Sequence, residues 1–287
     1  MVSGEWKNYW FDGKTEISTY EIVQPRFGEI HPGSAVLIFN TEDFSKSKGI
    51  KLNNPDIAKK DVVRILKMNQ TREFLTGGYP HNLMVSVFTS LQGNKKPNTR
   101  KVSFTSQNWD GQVFGQLGLK GKKYKLETRS YFESEGEKNL DFPVVLLEDE
   151  IWNLIRINPK LIPTGNQLIF PGFFMQRFTR ISPQAVEAQI EVLSPNTDQL
   201  PQPFRDFSEI DKVKIFIPAR SYTLEIFFLR EFPWTIVGWE NSYPDGFGVE
   251  KRVLTGFGKL KVSKRMDFSN LLRNTDVSLR DSLRISR

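Results

Sequence analysis

Val186-Glu187-Ala188-Gln189-Ile190-Glu191-Val192 places an apolar side chain at every second position. A segment with that period can bury one face and leave the other in water only if it is extended, because successive side chains of a strand point to opposite sides. The same alternation recurs in Tyr124 to Phe132, in Val213 to Ile217, in Tyr222-Thr223-Leu224-Glu225-Ile226-Phe227-Phe228 and in Leu260-Lys261-Val262. Less regular strand candidates are 16–23, 35–41, 62–68, 83–89 and 100–106. Turn signals separate them at Gly28, Pro32-Gly33, Gly77-Gly78, Gln92-Gly93-Asn94, Gly121 and Pro195-Asn196. Many strands at short spacing with few helices predict a sandwich, a barrel or a long curled sheet. The 23 Phe, 6 Trp and 7 Tyr of the chain agree with this, since aromatic side chains suit pleated, half-buried surfaces.

Two helices are expected. Leu147, Ile151, Leu154 and Ile155 fall on one helical face near 145–158. Glu148, Asp149 and Glu150 occupy the first turn, where negative charge meets the positive helix end, and Pro159 stops the helix. A shorter C-terminal helix is expected near 275–283, with Leu279 and Leu283 at i, i+4. Six prolines from Pro163 to Pro203 crowd the region after the first helix, and Asn196 to Asp211 reads as the longest loop. No low-complexity linker divides the chain. Residues 1–287 are therefore read as a single β-rich domain, one continuous sheet with an inserted helix.

Several chemistries are excluded or unsupported. The chain has no cysteine, which rules out disulfides, thiolate zinc sites and cysteine nucleophiles. Its two histidines, His31 and His81, each sit beside a proline and are expected in exposed loops. No Gly-x-Ser-x-Gly elbow accompanies them, and their spacing suggests no metal site. Gly111, Gly115 and Gly118 fit neither a dinucleotide fingerprint nor a phosphate-binding loop, and read as bulges or close backbone contacts in a twisted sheet. Glu133-Ser134-Glu135-Gly136-Glu137 reads as a solvated turn. Lys120-Gly121-Lys122-Lys123-Tyr124-Lys125 reads as an exposed hairpin turn whose lysines protect strand edges, not as a nucleic-acid site. No window reaches the about 18 apolar residues of a membrane-spanning helix. Met1 to Trp10 carries no apolar signal core. The formal charge is +7, and from Glu250 to Arg287 there are 10 Lys or Arg against 4 Asp or Glu. That stretch reads as a solvated basic face, or as a contact for anionic polymers.

Trp109, Trp152, Trp234 and Trp239 are candidates for lining an apolar cleft, as against filling the core.

Certain phrases also resemble an uncharacterised family of Bacteroidota envelope proteins. They are Gly13-Lys14-Thr15-Glu16-Ile17-Ser18-Thr19-Tyr20, Arg26-Phe27-Gly28-Glu29, Leu37-Ile38-Phe39-Asn40-Thr41-Glu42-Asp43-Phe44, Ser130-Tyr131-Phe132-Glu133-Ser134-Glu135-Gly136, Leu147-Glu148-Asp149-Glu150-Ile151-Trp152, and Arg230-Glu231-Phe232-Pro233 followed by Gly238-Trp239-Glu240. The resemblance runs from about Phe11 to the C-terminus and implies location in the cell envelope or periplasm. It also implies a fold distantly like the half-barrel lipoprotein carriers, a curved antiparallel sheet partly wrapped round helices. Relatives often bear the label "septum formation inhibitor Maf". True Maf proteins are α/β nucleotide pyrophosphatases with an N-terminal Ser-x-Ser-x-x-Arg phosphate motif, which this chain lacks, so the label does not fit it. Relatives carry Trp-Cys-Gly-His where this chain reads Trp109-Asp110-Gly111-Gln112, so the thiol and imidazole of that loop are missing here.

The expectation is thus a mainly β half-barrel or open barrel, non-enzymatic, without a cofactor. It would bind a lipid or other hydrophobic ligand, or a partner protein, with peripheral association to the envelope. Two alternatives stand beside it. One is a hydrolase using carboxylates near Trp109-Asp110 or in Glu148-Asp149-Glu150. The other is a surface protein contacting anionic polymers through Lys259, Lys261, Lys264 and Arg265.

Overall fold

In the computed structural model, which describes residues 2–92 and 98–284, strands dominate. Helix α1 (Gly4–Trp10) opens the chain. An antiparallel meander follows: β1 (Thr15–Arg26), β2 (Glu29–Ser45), β3 (Val62–Thr76), β4 (Tyr79–Ser90), β5 (Asn98–Asn108), β6 (Gly111–Lys120), β7 (Lys123–Ser130) and β8 (Lys138–Pro143). A single-turn helix α2 (Pro55–Ala58) lies between β2 and β3. The chain then passes through β9 (Leu146–Leu147) into helix α3 (Glu148–Ile157) and back to β10 (Gly165–Phe170), which pairs with β9 in parallel. Helix α4 (Phe173–Thr179) leads into a second meander of β11 (Val186–Leu193), β12 (Ile210–Ile217), β13 (Tyr222–Leu229), β14 (Ile236–Asp245) and β15 (Arg252–Met266). A short helix α5 (Leu279–Ser282) ends it.

These strands form one 15-stranded sheet in the order β8-β7-β6-β5-β4-β3-β2-β1-β15-β14-β13-β12-β11-β10-β9. The first meander runs from the middle to one end, the second returns from the other end, and β1 closes on β15. The sheet is curved and open. Phe142 on β8 and Phe170 on β10 stack at 4.7 Å, so side chains bring the two ends together where no backbone ladder does. Among the described residues β9–β10 is the one parallel pairing and every other neighbouring pair is antiparallel, unlike the α/β fold of true Maf proteins.

The predicted alternation sets which face is inside. On β13, Tyr222, Leu224, Ile226 and Phe228 all point into the main core. The opposite face is mostly wet, with two exceptions, one of them a small cluster of Phe44, Val63 and Ile65 with Phe88 on β2, β3 and β4. The other is made by the segment expected as the longest loop, which contains two 3-10 turns, Thr197–Gln199 and Gln202–Phe204, and lays Leu200 and Phe204 over Phe227, Ile210 and Val237. The Phe204 and Phe227 rings lie 4.3 Å apart.

Several expectations need correction. Both histidines lie in strands, not exposed loops: His31 is on β2 and half-buried, and His81 is on β4 and 3% exposed. Pro32-Gly33 lies inside β2, paired with β1, and is no turn. Gly93-Asn94 lies outside the described residues. The C-terminal helix begins as a 3-10 turn over Asn274–Ser278 before α5. Helix α3 is buried on every side, not only on the apolar face read from the sequence. All ten of its residues are buried, including Glu148, Asp149, Glu150, Asn153 and Arg156. No helix among the described residues is long and apolar enough to cross a membrane.

Candidate functional site

Helix α3 runs within the concave side of the sheet, and its polar residues meet polar residues that the strand period turns inward. On β1, the register that buries Tyr20 and Ile22 also points Glu16, Gln24 and Arg26 inward; on β3, the register of Leu66, Met68 and Phe74 does the same to Gln70 and Arg72. Buried polar groups are tolerable only when bonded, and most of these are. The Asn153 amide nitrogen donates to Leu66 O, Val87 O and Thr89 Oγ1 at 3.2, 3.3 and 2.8 Å. At the C-terminal end of α3, Arg156 Nη2 reaches Glu16 Oε2 at 2.6 Å with both side chains buried, and the Tyr9 hydroxyl donates to the same oxygen. Trp6 Nε1 donates to Arg156 O at 2.8 Å, which docks α1 under the helix.

Of the three carboxylates at the N-terminal end of α3, Glu148 and Asp149 both come up beside Gly172, while Glu150 turns away to β5. Glu148 Oε1 accepts from the Tyr222 hydroxyl at 2.9 Å. Asp149 Oδ2 accepts from Phe173 N at 3.1 Å, and Glu150 Oε1 from Thr99 N at 3.1 Å. Burial raises all three carboxyls. Glu148 is pushed to about 7 by burial and by its neighbour Asp149, Asp149 to about 6 and Glu150 to about 7. The nearest cation is Arg72, fully buried, with its guanidinium 4.2 Å from the centre of the Phe174 ring and 5.1 Å from that of Trp239. Its Nη1 donates to Gln24 Oε1, Gln24 Nε2 donates to the Tyr243 hydroxyl, and that hydroxyl donates to Pro25 O. None of the three carboxylates lines the clefts described next. Each tethers α3 to a different element: β13, α4 and β5.

The four tryptophans do not gather at one place. Trp152 and Trp239 meet edge to face at 5.5 Å inside the core, and Trp239 also packs on Tyr20 at 5.0 Å. Trp109 stands on the β5–β6 turn with 78% of its surface exposed, apart from the others. Trp234 is half-buried and follows β13, at the end of the concave face where α3 leaves it. Its carbonyl oxygen accepts from Arg156 Nη1 at 3.3 Å, and its ring meets that of Phe232 at 5.1 Å.

Beside Trp234 the concave face opens into a cleft of about 410 Å³. Ile162, Val192, Phe228 and Trp234 supply apolar wall; Asn158, Lys160, Asp211 and Arg230 lie among them. Val192, Asp211 and Phe228 carry the inward register of β11, β12 and β13, and Arg230 follows β13 directly, so this cleft is the mouth of the rolled sheet. Arg230 is already committed to Glu209 and Asp211 at 2.6 and 2.9 Å. Lys160 is exposed and has no carboxylate within ion-pair distance among the described residues. The signal for this site in the sequence is Trp234 together with the alternation that continues past Ile190 to Val192.

Other predicted features are ordinary structure. Glu135 of the acidic turn is not merely solvated: it pairs with Arg177 of α4 at 2.6 Å. Lys120 and Lys123 flank an exposed hairpin turn. In the basic C-terminal strand, Lys259 pairs with Asp206 and Arg265 with Asp12, while Lys261 and Lys264 are exposed.

No family model matches the chain, and no curated protein does. Among solved structures, a porin-like protein from Bacteroides uniformis is similar over 86% of this chain and 95% of its own, at 8% identity and a TM-score of 0.25.

Proposed function

We propose that this is a non-enzymatic cell-envelope protein that binds an apolar or amphipathic small molecule in the cleft beside Trp234. The observation that carries the reading is the cleft itself: about 410 Å³ at the mouth of the concave face, walled by Ile162, Val192, Phe228 and Trp234. That volume falls in the range of about 300–1,000 Å³ typical of small-molecule sites, which combine apolar walls with a few polar groups. Lys160 at the rim suits an anionic headgroup, while the apolar walls suit a hydrocarbon segment. Of the candidate tryptophans, Trp234 would touch the ligand, and Trp152 and Trp239 would hold the wall behind it. Binding is favoured over hydrolysis because Glu148, Asp149 and Glu150 are buried against Tyr222, Phe173 N and Thr99 N and line none of the open clefts. Placement in the envelope rests on the sequence resemblance.

Dodecanoate titrated into the protein should bind at one site, read by native mass spectrometry. Trp234→Ala should weaken binding about tenfold or more. Val192→Arg, at a position already 36% exposed, should block the cleft without disturbing the core. Dodecanoate that binds both variants as tightly as the parent, or that does not bind the parent, would overturn the reading.

A further inference from the structure

The opposite end of the rolled sheet holds a second, unrelated feature. Arg26 lies ten positions along β1 from Glu16 (26 − 16), about 33 Å at the rise of a strand. It is 4% exposed, yet among the described residues no carboxylate lies within ion-pair distance of it. Its Nη1 donates to Phe178 O at 2.9 Å, and its guanidinium lies 4.4 Å from the centre of the Phe27 ring. A buried guanidinium without a counter-ion is costly, because five donors and a full charge have left water. Arg26 lines a small cleft of about 130 Å³ between the C-terminal end of α4, the β1–β2 turn and the β14–β15 turn. Arg180 and Lys251 line the same cleft; both are exposed and have no ion pair among the described residues. Arg180 is fixed as the left-handed cap of α4, at φ 54°. Asp245 is the one carboxylate in the lining, and its Oδ1 already accepts from Gly28 N at 2.6 Å. Three cations against one anion leave an excess of two positive charges. Phe27 and Phe247 stack at 5.9 Å and wall one side.

We infer that the cleft formed by Arg26, Arg180 and Lys251 binds a phosphate-type dianion. The charge of such a group matches the excess, and its oxygens suit the planar fork of a buried arginine. Burial and the nearby charges of Arg177 and Arg180 pull Arg26 down to about 10, which an anion in the cleft would relieve. The inference does not depend on the Trp234 cleft at the other end of the molecule.

Two probes distinguish the sources of the phosphate. Inorganic phosphate should raise the melting temperature of the parent and broaden its own phosphorus resonance, and phosphatidylcholine vesicles containing phosphatidate should pull the protein down where pure phosphatidylcholine vesicles do not if the source is a lipid headgroup. Arg180→Gln with Lys251→Gln, at two exposed positions, should weaken whichever binding occurs about tenfold or more while the unliganded melting temperature stays unchanged. Binding of phosphate alone supports a soluble ligand, and binding of vesicles competed by free phosphate supports a headgroup. The inference is overturned if neither probe binds, or if the double variant binds as well as the parent.

Discussion

Glu148, Asp149 and Glu150 are carboxyls at a helix start, a place where the helix dipole ordinarily favours their charged form. Here burial wins, because full removal from water disfavours charge by more than the end of a ten-residue helix restores. The sign for stability follows. Their folded-state values of about 7, 6 and 7 lie above the ordinary 4.5, 3.8 and 4.5, so their contribution is fully present below the ordinary values and is lost as pH rises through about 6 to 7. His81 acts in the opposite sense. Burial and the nearby Arg26 charge pull it from 6.5 to about 4, so its contribution is present above 6.5 and lost as pH falls through about 4. The urea midpoint should therefore fall between about pH 6 and about pH 8, by an amount on the order of a few kcal/mol in stability. Glu148→Gln stays neutral and still offers an oxygen to Tyr222, so it should flatten that fall. An equal fall in parent and variant would show that Glu148 is not one of the groups responsible.

At the scale of elements, α3 and α4 are held by different means. Helix α3 is held by bonds to strand backbones, through Asn153 above all, and α4 by contact of rings with the sheet. Phe173 stacks on Phe104 at 5.5 Å and lies so close to Gly115 of β6 that a Cβ there would come 2.4 Å from its ring. Gly118, three residues on, has nothing within 4 Å of that position. Gly115→Ala should therefore cost about 1–3 kcal/mol by overpacking, and Gly118→Ala far less, as read by urea denaturation. Equal costs would show that α4 is free to shift. This contrast also explains what could be read from the sequence. The period-two runs of β11 and β13 announce themselves, and so does the apolar stripe of α3. Strand β6 does not, because glycine at the position facing α4 removes the apolar residue that alternation would need. Helix α4 itself, Phe173 to Thr179, is only two turns long and sets Gln176, Arg177 and Thr179 among its apolar residues, too short a run to establish a period. The burial of the polar residues of α3 depends on Glu16 and Arg72 pointing inward. Their positions follow from strand register, but their pairing with a helix more than 70 residues away does not.

The whole molecule is a long sheet rolled around a polar-matched helix, with its two ends joined by side chains and its two mouths chemically unlike. One mouth, beside Trp234, is apolar with a basic rim. The other, around Arg26, is cationic. Between them the interior is occupied: Trp152, Trp239, Tyr20 and Arg72 fill the concave face where a carrier of the half-barrel kind would hold its cargo. A pattern of alternation predicts such a sheet but is silent on whether its interior is full, since aromatic residues serve equally as filling and as lining. The proposed ligand therefore belongs at the mouth and not within. The direct test is a crystal structure of the protein with 12-bromododecanoate, read for the anomalous signal of bromine. A single bromine site is expected among Ile162, Val192, Phe228 and Trp234. Bromine found between Trp152 and Trp239, or at no ordered site, would rule out binding at the Trp234 mouth.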